Sequence, residues 1–188
     1  AGDIRYANSW GTGPPSHQTM HDWLFGMYQG WLRRRPVFPS MGNHDSRAAN
    51  ADGRPYLDMY VLPTTGATAQ YPDHAERYYS FDYGPMHVIV LDTELAFLDP
   101  ARLAVQLAWA EADLAATNKP WKVALYHRSP YSSGGEHGSD LAVRQQFGPL
   151  FDKHGVQLAI SAHEHDYERT VPLRAGASSS TGTVYVVT

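Results

Sequence analysis

Apolar and polar positions along this chain switch between a repeat of about two residues and one of about 3.6, the periods of strands and helices. Tyr78–Tyr83 and Met86–Leu91, joined across Gly84-Pro85, predict two adjacent strands. Leu103, Leu107, Ala110 and Leu114 form a helical stripe, with Asp99 as its cap and Pro100 at its first position. Trp121–Tyr126 predicts a strand, residues 139–153 a helix stopped by Gly155, Val156–Ile160 another strand, and the closing Thr-Val-Tyr-Val-Val-Thr a last one. Nearer the start, Met20, Trp23, Leu24, Met27 and Trp31 predict one helix over 16–34, with Ser16 as its cap, followed by an extended piece at Val37–Ser40. Residues 42–77 are rich in Gly, Pro, Asn, Asp and Thr and predict loop, with a short helix near Tyr56–Tyr60. The tract at 175–180 predicts a surface loop. No internal repeat is visible, and strands alternating with helices indicate a layered α/β domain.

The bulk numbers narrow the function classes. At 188 residues, 43% hydrophobic and 18% charged, the chain is long enough for a single domain with a real core. A formal net charge of −4 gives no footprint for nucleic acid or an anionic membrane. The one basic run, Arg33-Arg34-Arg35, reads as a solvated helix end. Zero cysteines excludes disulfides, cysteine-ligated zinc, iron–sulfur clusters and thiol catalysis. No apolar run approaches the roughly 18 residues of a membrane span, and there is no signal-peptide pattern. The abrupt opening at Ala1-Gly2-Asp3 and closing on a strand lead us to expect a piece of a longer protein, truncated at both ends.

The candidate chemistry lies at strand ends. In LAISAHEHDYER, residues 158–169, two histidines follow an apolar run with one residue between them. Among ten histidines such a pair decides nothing alone. Asn43, His44 and Asp45 follow Val37–Ser40, His127 follows Trp121–Tyr126, and His163 and His165 follow Val156–Ile160. Asp3 and Tyr6 open the chain as if after a strand. Sheets of this class place ligands at the carboxyl ends of their strands. Asp, Asn, Tyr and three His form a mixed oxygen and nitrogen set that suits Zn, Fe or Mn, large enough for two ions sharing a carboxylate.

Gly2-Asp3-Ile4-Arg5-Tyr6, Gly42-Asn43-His44-Asp45, Ala124-Leu125-Tyr126-His127 and Ala162-His163-Glu164-His165 stand in the order found in calcineurin-like metallophosphoesterases, which the whole chain resembles. Tyr6, three residues after Asp3, is similar to the purple acid phosphatase branch, as are His-Asp-Tyr-Glu-Arg at 165–169 and Tyr-Tyr-Ser-Phe-Asp-Tyr-Gly at 78–84. The resemblance implies a layered α/β/β/α sandwich over residues 1–188. There are two departures. The family's first aspartate, on an earlier strand, is absent, and Ala162 stands where the last motif has glycine, a change that bears on backbone geometry and not on the ligands.

What the resemblance implies for the residues is specific. Asp3 bridges two metals. Tyr6 and His165 complete the visible ligands of the first, Fe(III) if the tyrosinate reading holds. Asn43, His127 and His163 bind the second, Zn, Fe(II) or Mn(II). Two ions about 3.5–4 Å apart hold a hydroxide and clamp an in-line displacement at phosphorus. His44 protonates the leaving group, Asp45 orients it or raises its pKa, and His137 contacts substrate phosphate. The implied activity is hydrolysis of phosphomonoesters, small-molecule or protein, by an acid phosphatase that is secreted or periplasmic. The oligomeric state is not implied. His17, His21, His74, His87 and His154 carry no expected chemistry, and Asp92 reads as structural. A phosphodiesterase of the same superfamily is the alternative within enzymes, with Tyr6 against it. A non-catalytic module that keeps the scaffold without a competent metal pair is the alternative outside them. A metallo-β-lactamase reading fails, because Tyr167 and Glu168 stand where it needs Asp and His.

Overall fold

The stripe at 100–114 forms the longest helix of a computed structural model that describes residues 17–46, 53, 56–66, 68, 70–72 and 75–188. In chain order these carry α1 (His17–Met20), a π-helical turn (His21–Gly26), α2 (Gln29–Leu32), α3 (Asn43–Ser46), α4 (Tyr56–Met59), β1 (Tyr79–Tyr83) and β2 (Met86–Val90). They continue with α5 (Leu95–Leu98), α6 (Pro100–Ala116), β3 (Trp121–Arg128), α7 (Leu141–His154), β4 (Leu158–Ala162), β5 (Glu168–Arg169), β6 (Leu173–Arg174), β7 (Ala177–Ser178) and β8 (Val184–Val187). Asp99 caps α6, its carboxylate accepting from the Arg102 N–H at 3.0 Å, and Asp140 caps α7 in the same way through Val143. Each such cap contributes about 1 kcal/mol. Gly155 ends α7 in the left-handed conformation at φ 65°, which glycine adopts without a Cβ penalty.

Among the described residues the main sheet has six strands in the order β1-β2-β3-β4-β8-β5. β2, β3, β4 and β8 are parallel, while β1 and β5 close the edges antiparallel. Between the parallel strands α6 carries the chain from β2 to β3 and α7 from β3 to β4. The alternation within strands divides the interior into two cores. Ile89, Ala124, Ala159 and Tyr185 pack with Leu103, Ala110 and Leu114 of α6 and Phe147 and Phe151 of α7. Val88, Val90, Val123 and Leu125 face Met41, Tyr56, Tyr60 and Tyr79. The expected α/β layering holds. No helix among the described residues is long and apolar enough to cross a membrane.

Three expected elements differ. The helix over 16–34 is broken by the π turn, and Gly26 and Gly30 offer little resistance to breaking it. Met27 and Trp31 are exposed, while Leu24 packs on the second core. Among the described residues Val37–Ser40 joins no sheet, and its Pro39 carbonyl accepts from the hydroxyls of Tyr56 (2.8 Å) and Tyr79 (2.6 Å). The tract at 175–180 contributes β7 of a small hairpin with β6, turned at Ala175 and Gly176, both at positive φ.

His87, in the middle of β2, is structural. Its Nε2 lies 2.7 Å from Asp113 of α6 and its Nδ1 2.9 Å from Asp82 of β1, so a carboxylate meets each ring nitrogen. The hydrogen bond with Asp113 does most to raise its pKa, against the opposing effect of burial. A pKa raised above the unfolded value near 6.5 means that the bridge contributes fully below pH 6.5. That contribution fades as pH rises through the higher folded value. His87→Gln should therefore lower the melting temperature most below pH 6.5, with the gap from wild type narrowing toward alkaline pH. A gap of constant size across thermal melts at pH 5 to 9 would show that the charge is not what matters.

Candidate metal centre

β3 and β4 stop pairing just where the chain delivers its histidines. Leu125 pairs with Ile160 but Arg128 pairs with Ala162, so β3 carries one extra residue across Tyr126 and His127. Bulges of this kind twist a strand locally and re-aim its side chains beside sites. Tyr126 goes into the helical core against Phe151, and His127 lies buried on the way to Asn43. His127 is thus inside its strand, not after it as the sequence pattern predicts.

Three donor atoms meet there. His127 Nε2 lies 2.8 Å from the Asn43 amide oxygen and 3.0 Å from Nδ1 of His163. Asn43 and His127 are buried at 3% and 1% exposure, and His163 is half-buried, so water competes weakly for these atoms. An amide oxygen and two imidazole nitrogens brought this close fit a borderline divalent cation. A cleft of about 290 Å³ opens over them, lined by His127, His163, Glu164, His165, Asp166 and Thr188.

His163 takes its place by backbone distortion. Its φ is +73°, a left-handed conformation that costs a non-glycine residue on the order of 1–3 kcal/mol. Ala162 belongs to β4 and has no positive φ, so the alanine in place of glycine is not where the motif is strained. Behind His163 stands Arg128. Its Nη1 approaches His163 Nε2 at 3.3 Å, while Nε and Nη2 donate to the two oxygens of Glu94 at 2.7 and 3.0 Å. The guanidinium also lies 4.4 Å over the Phe97 ring. Burial raises the pKa of Glu94 more than this arginine lowers it.

The other expected residues fall around this centre. His137 stacks on His163 with ring centroids 4.0 Å apart, and His165 sits edge-on to His137 at 5.8 Å. His44 and Asp45 follow Asn43 on α3, a single turn that the sequence pattern does not reveal. The Asp45 carboxylate accepts from the Gly42 N–H at 3.0 Å, reaching back to the residue that opens the turn. Asp3 and Tyr6 lie outside the described residues.

Four residues enter the site without having been anticipated: Arg128, Glu136, Glu164 and Glu168. Glu136 pairs with His165 at 3.1 Å and, with His137, completes an exposed trio able to hold a cation. Glu164, between the two motif histidines, accepts from the backbone N–H groups of Glu136 (3.0 Å), His137 (2.7 Å) and Gly138 (2.6 Å). Burial pushes its carboxyl up, but these three donors outweigh burial and hold it below the usual range. Glu168 accepts from the Ser132 hydroxyl, both the N–H and hydroxyl of Ser133, and the Gly134 N–H, at 2.7–3.0 Å. The Ser132 hydroxyl does most to bring its pKa down to about 2.

Known proteins of similar sequence and fold point to one family. Residues 1–167 match the calcineurin-like phosphoesterases. The chain is 27% identical to purple acid phosphatase 18 of Arabidopsis thaliana, over 98% of this chain and 41% of that one. It is 33% identical to acid phosphatase type 7 of Homo sapiens, over 73% of this chain and 33% of that one. It thus spans about two fifths or less of the length of these relatives. The purple acid phosphatase PPD1 of yellow lupin seeds superposes with a TM-score of 0.58 at 26% identity, covering 80% of this chain and 29% of that one. Motif order, sheet topology and these matches together place the chain in the calcineurin-like phosphoesterase family, among its purple acid phosphatase-like members.

Proposed function

We propose that this protein hydrolyses phosphomonoesters at a two-metal centre, as an acid phosphatase exported from the cell. The observation that carries the reading is the meeting of Asn43, at the start of α3, with His127 and His163, at the carboxyl ends of the adjacent parallel strands β3 and β4. Their donor set suits the second ion, Zn, Fe(II) or Mn(II), with Asp3 as the shared carboxylate. Tyr6 and His165 would hold the first, Fe(III). Bound there, the ions would supply Lewis acidity, lowering the pKa of a water and neutralising charge on the phosphoryl group.

The remaining steps belong to the chain. His137, lying over His163, donates to a phosphate oxygen and orients the ester. His44, next to Asn43 on α3, gives its proton to the departing alkoxide oxygen, so that the alcohol leaves neutral. Arg128 is held by Glu94 and Phe97 behind the centre, where it braces His163 and stays out of the cleft.

Hydrolysis of p-nitrophenyl phosphate by the full-length protein, abolished by chelator and restored by added metal, is the direct test. Faster turnover of bis(p-nitrophenyl) phosphate would make the protein a diesterase instead. His44→Ala should cut turnover by roughly 10²–10⁴-fold, the usual worth of general acid catalysis. Metal content should be unchanged, and the loss smaller for esters with good leaving groups. A His44→Ala protein that loses metal would show His44 to be a ligand. Tyrosinate on ferric iron absorbs in the visible, so the loaded protein should be coloured and Tyr6→Phe should bleach it while leaving the circular dichroism spectrum intact. A colourless, iron-free and fully active enzyme would remove Tyr6 from the first site. His163→Ala should release the second ion only, as metal analysis of the purified variant would reveal.

A further inference from the structure

We infer that Glu164 is a positioning residue: it fixes His137 over the metal centre by holding the backbone of the 136–138 turn. His163, Glu164 and His165 line one cleft, and between the two histidines the Glu164 carboxylate gathers three consecutive N–H groups from the loop carrying His137. The donors are backbone groups, so these bonds fix the path of the loop and not its side chains. Gly134 completes the fit: a methyl group there would collide with the Glu164 side chain. Glu168 holds the preceding part of the loop by the same means. The His137 ring consequently stacks on His163, although His137 itself is solvent-exposed. An exposed imidazole otherwise samples several rotamers, and ordering it before substrate arrives lowers the entropic cost of binding phosphate.

The inference rests on the proposed contact between His137 and phosphate, and it is tested so that the two can fail separately. Glu164→Val, Glu164→Gln and Gly134→Ala are made in the full-length, metal-loaded protein, Gly134→Ala disturbing the same contact from the loop side. Amide hydrogen exchange at residues 136–138 should accelerate by roughly 10–100-fold in Glu164→Val, as expected for loss of charge-assisted hydrogen bonds. Glu164→Gln, which keeps one acceptor oxygen, should restore part of the protection. Metal content should stay at the wild-type level. Affinity for inorganic phosphate, read by calorimetry, should fall by roughly 10-fold, and KM for p-nitrophenyl phosphate should rise more than kcat falls. In a His137→Ala background the same changes should have little further effect, since coupled residues are not additive. Unchanged exchange at 136–138 would overturn the inference, as would full additivity with His137→Ala or loss of metal from the Glu164 variants. Faster exchange with unaltered phosphate affinity would also overturn it, leaving the proposed hydrolysis untouched. Absence of hydrolysis in wild type, with the exchange and phosphate results as expected, would refute the proposed function and retain the positioning role.

Discussion

Parallel pairing of β2, β3, β4 and β8 is the constraint on which the rest of this structure depends. Parallel neighbours cannot be joined by tight turns, so each crossover must leave from the carboxyl end of one strand and return to the amino end of the next. α6 and α7 serve as two of those crossovers, and their apolar stripes bury one face of the sheet. Each of these four strands therefore releases its last residues at the same edge. His127 and His163, 36 positions apart in sequence, come within 3.0 Å because β3 and β4 are neighbours in this arrangement. Antiparallel pairing would have sent them to opposite ends of the molecule.

Behind that edge a chain of buried polar groups fixes the strand ends to one another. Arg77 donates to Asp92 at 2.7 Å, both side chains fully buried. Gln106 of α6 bonds the backbone N–H and carbonyl of Asp92, and the other Asp92 oxygen accepts from the Glu94 N–H. Glu94 then grips Arg128, which stands against His163. A buried ion pair adds little net stability over apolar packing, whereas removing one partner costs about 3–5 kcal/mol. The arrangement thus serves geometry more than stability. It tolerates few alternatives, which suits a segment that must hold His163 at a positive φ.

Much of this was legible in the sequence, and the reasons for the exceptions are physical. α6 and α7 follow from apolar spacing and from Asp99, Asp140 and Gly155, because capping is chemistry local to a few residues. The meeting of Asn43, His127 and His163 was legible because each follows, or closes, an extended segment that the apolar pattern marks out. Val37–Ser40 reads as an extended piece, but its Pro39 carbonyl accepts from Tyr56 and Tyr79, 17 and 40 positions away, partners that local pattern cannot reveal. The π turn at His21–Gly26 has no periodic signature over so short a stretch. Glu164 and Glu168 were missed for a different reason. Their partners are mostly backbone N–H groups, which every residue but proline offers and which leave no mark in composition or spacing.

That choice of partner also bears on acid conditions. A clamp between two side chains of opposite charge works only while both are ionised. A carboxylate clamped by amide and hydroxyl donors needs its own charge alone. With its pKa brought from 4.5 to about 2, Glu168 contributes fully above pH 4.5 and loses that contribution only as pH falls toward about 2. Glu164, also shifted down, behaves in the same sense. The loop carrying His137 is therefore held by groups that stay ionised where ordinary carboxylates begin to protonate.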